Sequence, residues 1–422
     1  MPQHRDHLGR PIVAVTGIGM VTPLGVGKTE NWAALTSGKS GIKRITRFPV
    51  DLLNTTISGM VDFLPSSTKG ASALTHELAE MAAAEAIGEA RISGDFDGPL
   101  FLAAPPVEID WHDRFALYAA GTEGAGYDRI LSAARGLNDS VIEETTLFAA
   151  IADKLADRFG ISGLPVTLST ACASGATAIQ LGVEAIRRGE TDRALSIGAD
   201  GSATAEALIR FSLLSALSTQ NALPERASKP FSKDRDGFVL AEGAAALVLE
   251  SLDSAIARGA TVLGIIKGCG EKADDFHRTR SKPDASPAIA AVNAALGDAG
   301  MSADAIDYVN AHGTSTPEND KMEHLSLSTV FGERMKTIPI SSNKSMIGHT
   351  LSAAGAIEAA FSLLTMREGV IPPTINYDNP DPNIELDVVP NIKRSADIAT
   401  VLSNSFGFGG QNACLVMARE AV

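Results

Sequence analysis

Strand-like apolar runs alternate with helix-period stretches along this chain, and one strand–junction–helix unit occurs twice. The first copy is Leu168-Ser-Thr-Ala-Cys-Ala-Ser-Gly-Ala-Thr-Ala-Ile179 and the second is Ile340-Ser-Ser-Asn-Lys-Ser-Met-Ile-Gly-His-Thr-Leu-Ser-Ala-Ala-Gly-Ala-Ile357. Each is followed by a further strand ending in glycine, Ala194-Leu-Ser-Ile-Gly-Ala-Asp-Gly201 and Val401-Leu-Ser-Asn-Ser-Phe-Gly-Phe-Gly-Gly410. Alternation of this kind buries its apolar faces only when the strands pair into sheets and helices cover them. The repeat adds two similar halves, each placing a reactive side chain at a helix start, facing each other across one site. Runs at 12–17, 99–103, 165–169, 194–199, 244–250, 261–269, 305–311, 338–342, 399–403 and 413–417 read as strands. Stretches 73–91, 140–159, 173–188, 285–299, 318–332 and 350–367 carry helical periodicity.

The totals narrow the function classes. A chain of 422 residues holds a large core, and 45% apolar content with only 5% aromatic fits tightly packed α/β layers. Net charge is −14 with no long basic tract, which argues against a nucleic-acid or anionic-membrane partner. Three cysteines without zinc-type spacing imply a reducing compartment and no disulfide frame. The N-terminal stretch is polar, with no signal-peptide core, and no run reaches membrane-spanning length, so a cytosolic protein is expected.

Cys172 is the first candidate for chemistry. It sits where a β-branched run ends, small residues take over and a helical pattern begins, so its thiol is expected at a helix N-terminus that favours thiolate. Most unpaired cysteines are simply small buried hydrophobes, and Cys269 and Cys414, on apolar strand-like runs, fit that description. Cys172 differs because partners for it occur downstream. His312 follows an apolar strand and precedes Gly-Thr-Ser-Thr-Pro317; His349 opens a helix after Lys344-Ser-Met-Ile-Gly348. Asn404-Ser-Phe-Gly-Phe-Gly-Gly-Gln-Asn412 is a glycine-rich turn able to aim backbone N–H groups inward. Each histidine alone would pass for a satisfied core or surface group, and Lys344 for a solvated lysine. Two nucleotide-like patterns fail on spacing. Gly25-Val-Gly-Lys-Thr29 has Thr22 where a phosphate loop needs its leading glycine, and Gly17-Ile-Gly-Met-Val-Thr22 lacks the third glycine of a dinucleotide fingerprint.

Together these residues match one pattern. The sequence resembles the elongating β-ketoacyl-acyl-carrier-protein synthases, type II condensing enzymes of the thiolase-like superfamily. The resemblance runs from Val15-Thr-Gly-Ile-Gly-Met-Val-Thr-Pro-Leu-Gly25 to Gly409-Gly-Gln-Asn412, through Ala171-Cys-Ala-Ser-Gly175, Lys229-Pro-Phe-Ser-Lys-Asp-Arg-Asp-Gly-Phe-Val239, Ala311-His-Gly-Thr-Ser-Thr-Pro317, Asn343-Lys-Ser-Met-Ile-Gly-His349 and Asn404-Ser-Phe-Gly-Phe-Gly-Gly410. It implies an α/β protein with a duplicated five-layer αβαβα fold, an N-terminal half over 11–260, a C-terminal half over 261–422, and a homodimer. It further implies that Cys172 takes an acyl chain from acyl carrier protein, that His312 and His349 act on the malonyl group, and that Lys344 tunes that pair with Glu358 behind it. Phe408 is then the gate whose N–H joins that of Cys172 in an oxyanion hole. Phe211 and Phe406 are pocket residues, Thr314 and Thr316 contact the phosphopantetheine arm, and Asp274 and His277 lie near the mouth. Neither metal nor organic cofactor is implied; Asp320 and Glu323, i and i+3 on one helical face, read as structural.

Some positions depart from the family pattern. Near residues 65–80, where relatives carry several basic residues for docking carrier protein, only Lys69 is present; Arg129, Arg135 and Arg210 are substitutes to weigh against ordinary solvated charges. The segment 104–135, placed by the resemblance at the acyl pocket and dimer interface, also differs, as do Ser352, Ala241 and Gln411. A degradative thiolase would have a second cysteine in the final glycine-rich loop, and an initiating synthase would replace one histidine by asparagine. A polyketide-type ketosynthase or a non-catalytic partner subunit remain the alternatives.

Overall fold

The computed structural model describes residues 4–106, 109, 111–136 and 146–420. The principal strands are β1 (Val13–Thr22), β2 (Leu100–Ala103), β3 (Val166–Leu168), β4 (Arg193–Asp200), β5 (Gly243–Ser251), β6 (Gly264–Ala273), β7 (Tyr308–Asn310), β8 (Pro339–Ser341), β9 (Asp387–Val388), β10 (Thr400–Phe406) and β11 (Gln411–Ala418). The helices are α1 (Gly27–Thr36), α2 (Ala71–Glu89), α3 (Trp111–Ala120), α4 (Tyr127–Gly136), α5 (Ala150–Phe159), α6 (Ser174–Arg187), α7 (Ala205–Leu213), α8 (Leu252–Ala257), α9 (Ser286–Ala299), α10 (Pro317–Phe331), α11 (Lys344–Ile347) and α12 (Ala354–Glu368).

The strands join into one 12-stranded sheet in the order β9-β8-β7-β10-β11-β6-β1-β5-β4-β2-β3, with Gly25–Val26 paired to β1 off the path. From the central β1–β6 pair outward, the two arms repeat each other. On one arm β1/β5 and β5/β4 are antiparallel while β4/β2 and β2/β3 are parallel. On the other, β6/β11 and β11/β10 are antiparallel while β10/β7 and β7/β8 are parallel. The expected duplication is therefore present in strand order and direction, and β9 is an addition to the second arm.

Two helices sit between the arms. Both α6 and α12 pack on strands of each arm, whereas α2 covers β1, β5 and β4 and α9 covers β6 and β11. This is the five-layer order. The main core accordingly mixes the halves, with Val15, Ile179, Leu247, Ile357 and Val401 all fully buried in one cluster. A fully buried Val, Leu or Ile contributes roughly 1.5–3 kcal/mol, so α6 and α12 are held mainly by this shared core.

The crossing of α6 and α12 is unusually close. A Cβ on Gly175 would lie 2.5 Å from the Ala356 nitrogen, and one on Gly355 would lie 2.5 Å from the Ala176 nitrogen. These symmetric contacts draw together the junctions that precede the two helices. The strain is stored next door: Ala171 adopts φ of +50°, a left-handed conformation unfavourable for a residue with a Cβ. Ser174 stabilises the bend, its hydroxyl accepting from the Thr170 N–H at 2.8 Å and donating to the Ala171 carbonyl at 2.6 Å.

Helix starts differ from expectation in one informative place. His349 does not open α12. It follows Gly348, whose φ is +78°, and a short 3-10 turn over Leu351–Ala353 intervenes before the helix. Helices α1, α3, α4, α7, α8 and α11 lie outside the stretches expected to be helical. Of the stretch 140–159 only α5 is helical as expected; residues 140–145 lie outside the described residues, as do 107, 108 and 110 of the segment 104–135. Among the described residues no helix is long and apolar enough to cross a membrane.

Candidate active site

Cys172 lies two residues before α6, at the inner end of β3, with 7% of its surface accessible. Its Sγ is 3.1 Å from His349 Nε2 and faces the Phe408 N–H, which favours the charged form of the sulfur. The backbone around Gly407 closes on the same spot: a Cβ there would stand 3.1 Å from both the Cys172 nitrogen and the Thr170 carbonyl oxygen. Glycine at 407 thus lets the Phe408 and Cys172 N–H groups converge.

The two imidazoles stand edge to face, centroids 5.2 Å apart at 85°. His349 also packs edge-on against Phe238, and His312 leans on Phe406 at 6.0 Å. Behind His312, Lys344 Nζ lies 3.3 Å from Nδ1 and pairs with Glu358 Oε1. An ammonium has only protons to give, so His312 Nδ1 accepts and its own N–H is fixed at Nε2. Lys344 and Glu358 are each 1% exposed, and Asn310 ties the second turn of α12 by donating to the Glu358 carbonyl at 2.9 Å.

Burial dominates the electrostatics. It pushes the Cys172 thiol up to about 11, against the pull of the Phe408 N–H and Lys344. The expectation that the helix start favours a resting thiolate is therefore corrected: desolvation of the anion outweighs the aligned dipoles. Burial also depresses both histidines well below the usual 6.5, Lys344 adding to the effect on each and His349 adding to it on His312. Glu358 moves the other way, raised by burial to about 7. The rings are neutral near pH 7. The ligand atoms of Cys172, His312 and His349 lie within 4.8 Å of one another, but the Lys344 ammonium at the same site opposes a resident cation.

Two cavities share Cys172, Phe211, Leu351 and Phe408 as a common wall. The first, about 650 Å³ including its open mouth, passes His312, His349, Thr314, Thr316 and Phe406, with Asp274 and His277 at its edge. The second, about 1450 Å³, runs along α7 and the start of α2 and is bordered by Pro105, Pro106, Ile109 and Arg114 of the unusual segment 104–135. Phe211 stacks edge-on against Phe238 at 5.3 Å. Thr314 and Thr316 share a hydroxyl hydrogen bond of 2.9 Å, and Thr316 caps α10 by accepting from the Asn319 N–H. Cys172, Phe211, Asp274, His277, His312, Thr314, Thr316, His349, Phe406 and Phe408 thus line one or both of these adjoining cavities, and Lys344 and Glu358 stand behind His312.

Sequence reasoning missed two features. Glu323, read as structural, accepts from the backbone N–H of His312 at 2.8 Å and of Gly313 at 2.7 Å, fixing the turn that carries the ring. Six residues after Pro317, inside α10, it carries no local signal of this contact. Arg278 and Arg280 line the mouth of the first cavity and had not been singled out. Arg129, by contrast, is engaged internally, its guanidinium 4.9 Å from the Tyr118 ring centre.

Comparison with known proteins agrees with this geometry. Residues 11–88 and 106–255 match the family model "Beta-ketoacyl synthase, N-terminal domain", and residues 263–378 match "Beta-ketoacyl synthase, C-terminal domain". A relative from Coxiella burnetii named 3-oxoacyl-[acyl-carrier-protein] synthase 2 is 37% identical, covering 96% of this chain and 98% of its own. The ketoacyl synthase alpha subunit of the tetracenomycin polyketide synthase from Streptomyces glaucescens is 35% identical over 96% and 97%. Among solved structures, a β-ketoacyl synthase from Burkholderia phymatum superposes with TM-score 0.85 at 33% identity, over 97% of this chain and all of the other. A type II polyketide ketosynthase solved with its acyl-carrier protein gives 0.86 at 32%, with the same coverage. The chain belongs to the β-ketoacyl synthase family, condensing acyltransferases of thiolase-like fold.

Proposed function

We propose that the chain is an elongating 3-oxoacyl-acyl-carrier-protein synthase, in which Cys172 carries the growing acyl chain and His312, His349 and Lys344 act on malonyl-carrier protein. The observation that carries the reading is the contact of Cys172 Sγ with His349 Nε2 at 3.1 Å, with a second ring held at a fixed tautomer beside it. In the first half-reaction Sγ attacks the acyl thioester carbonyl. The oxyanion accepts from the N–H groups of Cys172 and Phe408, each such donor being worth roughly 3–4 kcal/mol of barrier. The bond to the carrier sulfur breaks, and the thiol proton reaches that sulfur by way of His349.

In the second half-reaction the bond between the malonyl α-carbon and its carboxylate breaks, releasing CO2 and leaving the electron pair as an enolate. Its oxygen accepts from His312 Nε2–H, with His349 facing the same space. The enolate carbon attacks the thioester on Cys172, the C–S bond breaks, and the released thiolate takes up a proton from solvent, the one proton that the overall condensation consumes. Lys344 is a positioning residue with Glu358, because it reaches the chemistry through His312. Phe408 gates the passage between the two cavities; Phe211 and Phe406 shape them, and Thr314 and Thr316 meet the carrier's arm.

The division into halves at 11–260 and 261–422 belongs to this reading, supported by the repeated strand order. So does a homodimer. Phe115 of α3 (66% exposed) and Ile209 and Leu213 of α7 (47% and 81%) present apolar surface beside the second cavity, as a self-associating face does. We place the protein in the cytosol, as its three free cysteines favour.

Intact-mass spectrometry with acyl carrier protein as donor tests the proposal. Wild type gains the acyl mass, Cys172→Ala does not, and Cys172→Gln loses condensation while still releasing CO2 from malonyl-carrier protein. Acylation persisting in Cys172→Ala, or CO2 release at the wild-type rate in His312→Ala, would overturn it.

A further inference from the structure

The first cavity opens between the 276–282 loop and the glycine-rich turn after β10. Asp274 fixes that loop from inside, one carboxylate oxygen accepting from the Phe276 N–H at 3.0 Å and the other from the Lys282 N–H at 2.8 Å. The loop is also stitched to the turn: Gly409 N–H donates to the Arg278 carbonyl at 2.8 Å, and Asp274 N–H donates to the Gly410 carbonyl at 2.7 Å. His277 Nδ1 accepts from the Thr279 N–H at 3.2 Å. A buried carboxylate accepting two bonds, two backbone–backbone ties and the His277 contact hold the loop's course, so the side chains it exposes stand at set places around the opening.

Three of the exposed side chains are basic, with exposed Asp275 and Asp284 flanking them at the loop's two ends. Arg278 and Arg280 line the mouth, Lys282 follows, and all three are exposed. Among the described residues neither arginine has an acidic partner within 4.0 Å, although Glu318 lines the same cavity; Lys282 has one loose pair, 3.9 Å to Asp284. Most of this protein's other arginines, by contrast, close on carboxylates: Arg47, Arg187, Arg193, Arg235, Arg258 and Arg394 each do so within 3.0 Å. On a chain of net charge −14, two unpaired guanidinium groups flanking the route to a buried thiol form a local positive rim. Half-exposed Phe276 sits on the same loop as an apolar anchor.

We infer that this rim, Arg278 and Arg280 with Lys282, docks the acidic carrier protein and meets the phosphodiester through which its arm is attached; the inference rests on the function proposed above. Cys172 is almost wholly buried, so its acyl donor reaches it on an arm while the carrier stays outside the mouth. Phosphate and carboxylate groups stopping there face bidentate donors. Charge at a rim acts chiefly on encounter and is screened by salt. The scarcity of basic residues near 65–80 is thereby offset on a different element.

The test compares two donors on Arg278→Glu/Arg280→Glu: octanoyl-acyl carrier protein, and the octanoyl thioester of N-acetylcysteamine, which has neither protein nor phosphate. The readout is the rate of Cys172 acylation by intact mass. With carrier protein the double variant should need about tenfold more donor for half-maximal rate, and its salt dependence should flatten. With the small thioester it should match wild type, which also shows that the site still folds. An unchanged carrier-protein response, or an equal loss with both donors, would overturn the docking role. So would a loss of carrier response in Arg129→Glu/Arg135→Glu that matches or exceeds the loss in the first variant. Wild type acylated by neither donor would instead remove the proposed function itself, and this inference with it.

Discussion

The neutrality of the two buried imidazoles has a thermodynamic signature. Both rings are held well below 6.5 by burial first and by Lys344 second. In the unfolded chain they titrate near the ordinary value, so below about pH 6.5 the unfolded state binds protons that the folded state refuses. A depressed folded pKa gives stability that is intact above the unfolded value and drains as pH falls, at about 1.4 kcal/mol per pH unit for each ring. Between pH 7 and pH 5 each histidine therefore costs close to 2 kcal/mol, or about 4 for the pair. Glu358 works in the opposite direction. Its folded value of about 7 lies above its usual 4.5, so the folded state takes up a proton first and gains about 2 kcal/mol over the same interval. The assay is guanidinium denaturation at pH 7, 6 and 5 and a single protein concentration, for wild type, His312→Gln, His349→Gln and Glu358→Gln. Each histidine variant should lose stability toward pH 5 less than wild type by about 2 kcal/mol, and Glu358→Gln should lose about 2 kcal/mol more. A histidine variant with the wild-type acid response would mean that the ring already carries its proton in the fold. That result would refute the account of His312 as a neutral donor.

Three further outcomes follow from particular contacts. Lys344→Met removes the donor that fixes the His312 tautomer, a charged hydrogen bond worth about 1.5–3 kcal/mol; CO2 release should fall about 10- to 100-fold while Cys172 acylation changes less, and equal losses in the two half-reactions would contradict the positioning role. Gly355→Ala forces a methyl to within 2.5 Å of the Ala176 backbone nitrogen, so it should lower stability by about 1–3 kcal/mol or more, whereas Gly297→Ala, with open space around it, should not. Glu323→Gln keeps the shape of the side chain but leaves one acceptor oxygen for the two backbone N–H groups beneath His312, so one of the two bonds is lost; kcat for condensation should drop several-fold with KM for the acyl donor nearly constant, and a change confined to KM would argue against it.

The fold was legible wherever burial is two-sided. β4 and β5 are buried along almost their whole length, and their continuous apolar runs could be read directly. Helix α7 was missed for the complementary reason. Ile209 and Leu213 are apolar yet exposed beside buried Leu208, and the helix is only nine residues long, too short for its apolar side to stand out as a repeating stripe. The Thr204 cap, whose hydroxyl accepts from the Ala207 N–H at 3.2 Å, was the local signal that could have found it. At the site, ordered motifs singled out Cys172, His312, His349 and Lys344, which the fold brings together. The sign of the thiol's shift was not legible, because the helix start is local while desolvation depends on everything packed around Sγ. Glu323 and Arg278 were missed because their meaning lies in tertiary placement: one beneath a backbone turn, the other at the lip of a channel.

The corrected thiol also changes how the site must work. A resting thiolate beside two protonated rings would place three charges in a space that excludes water, next to the Lys344–Glu358 pair. Burial raises the thiol and depresses the imidazoles together, so the resting arrangement is neutral at Cys172, His312 and His349. In the proposed reaction charge develops only when a donor carbonyl or a malonyl carboxylate occupies the cavity, beside the Phe408 N–H and His312 Nε2. Donors fixed before the charge forms need no reorganisation when it appears, which is where such a site gains most over water. The duplicated fold supplies the fixing: α6 and α12 meet glycine against backbone, so the junction carrying the sulfur and the junction carrying the rings cannot drift apart without opening the core they share.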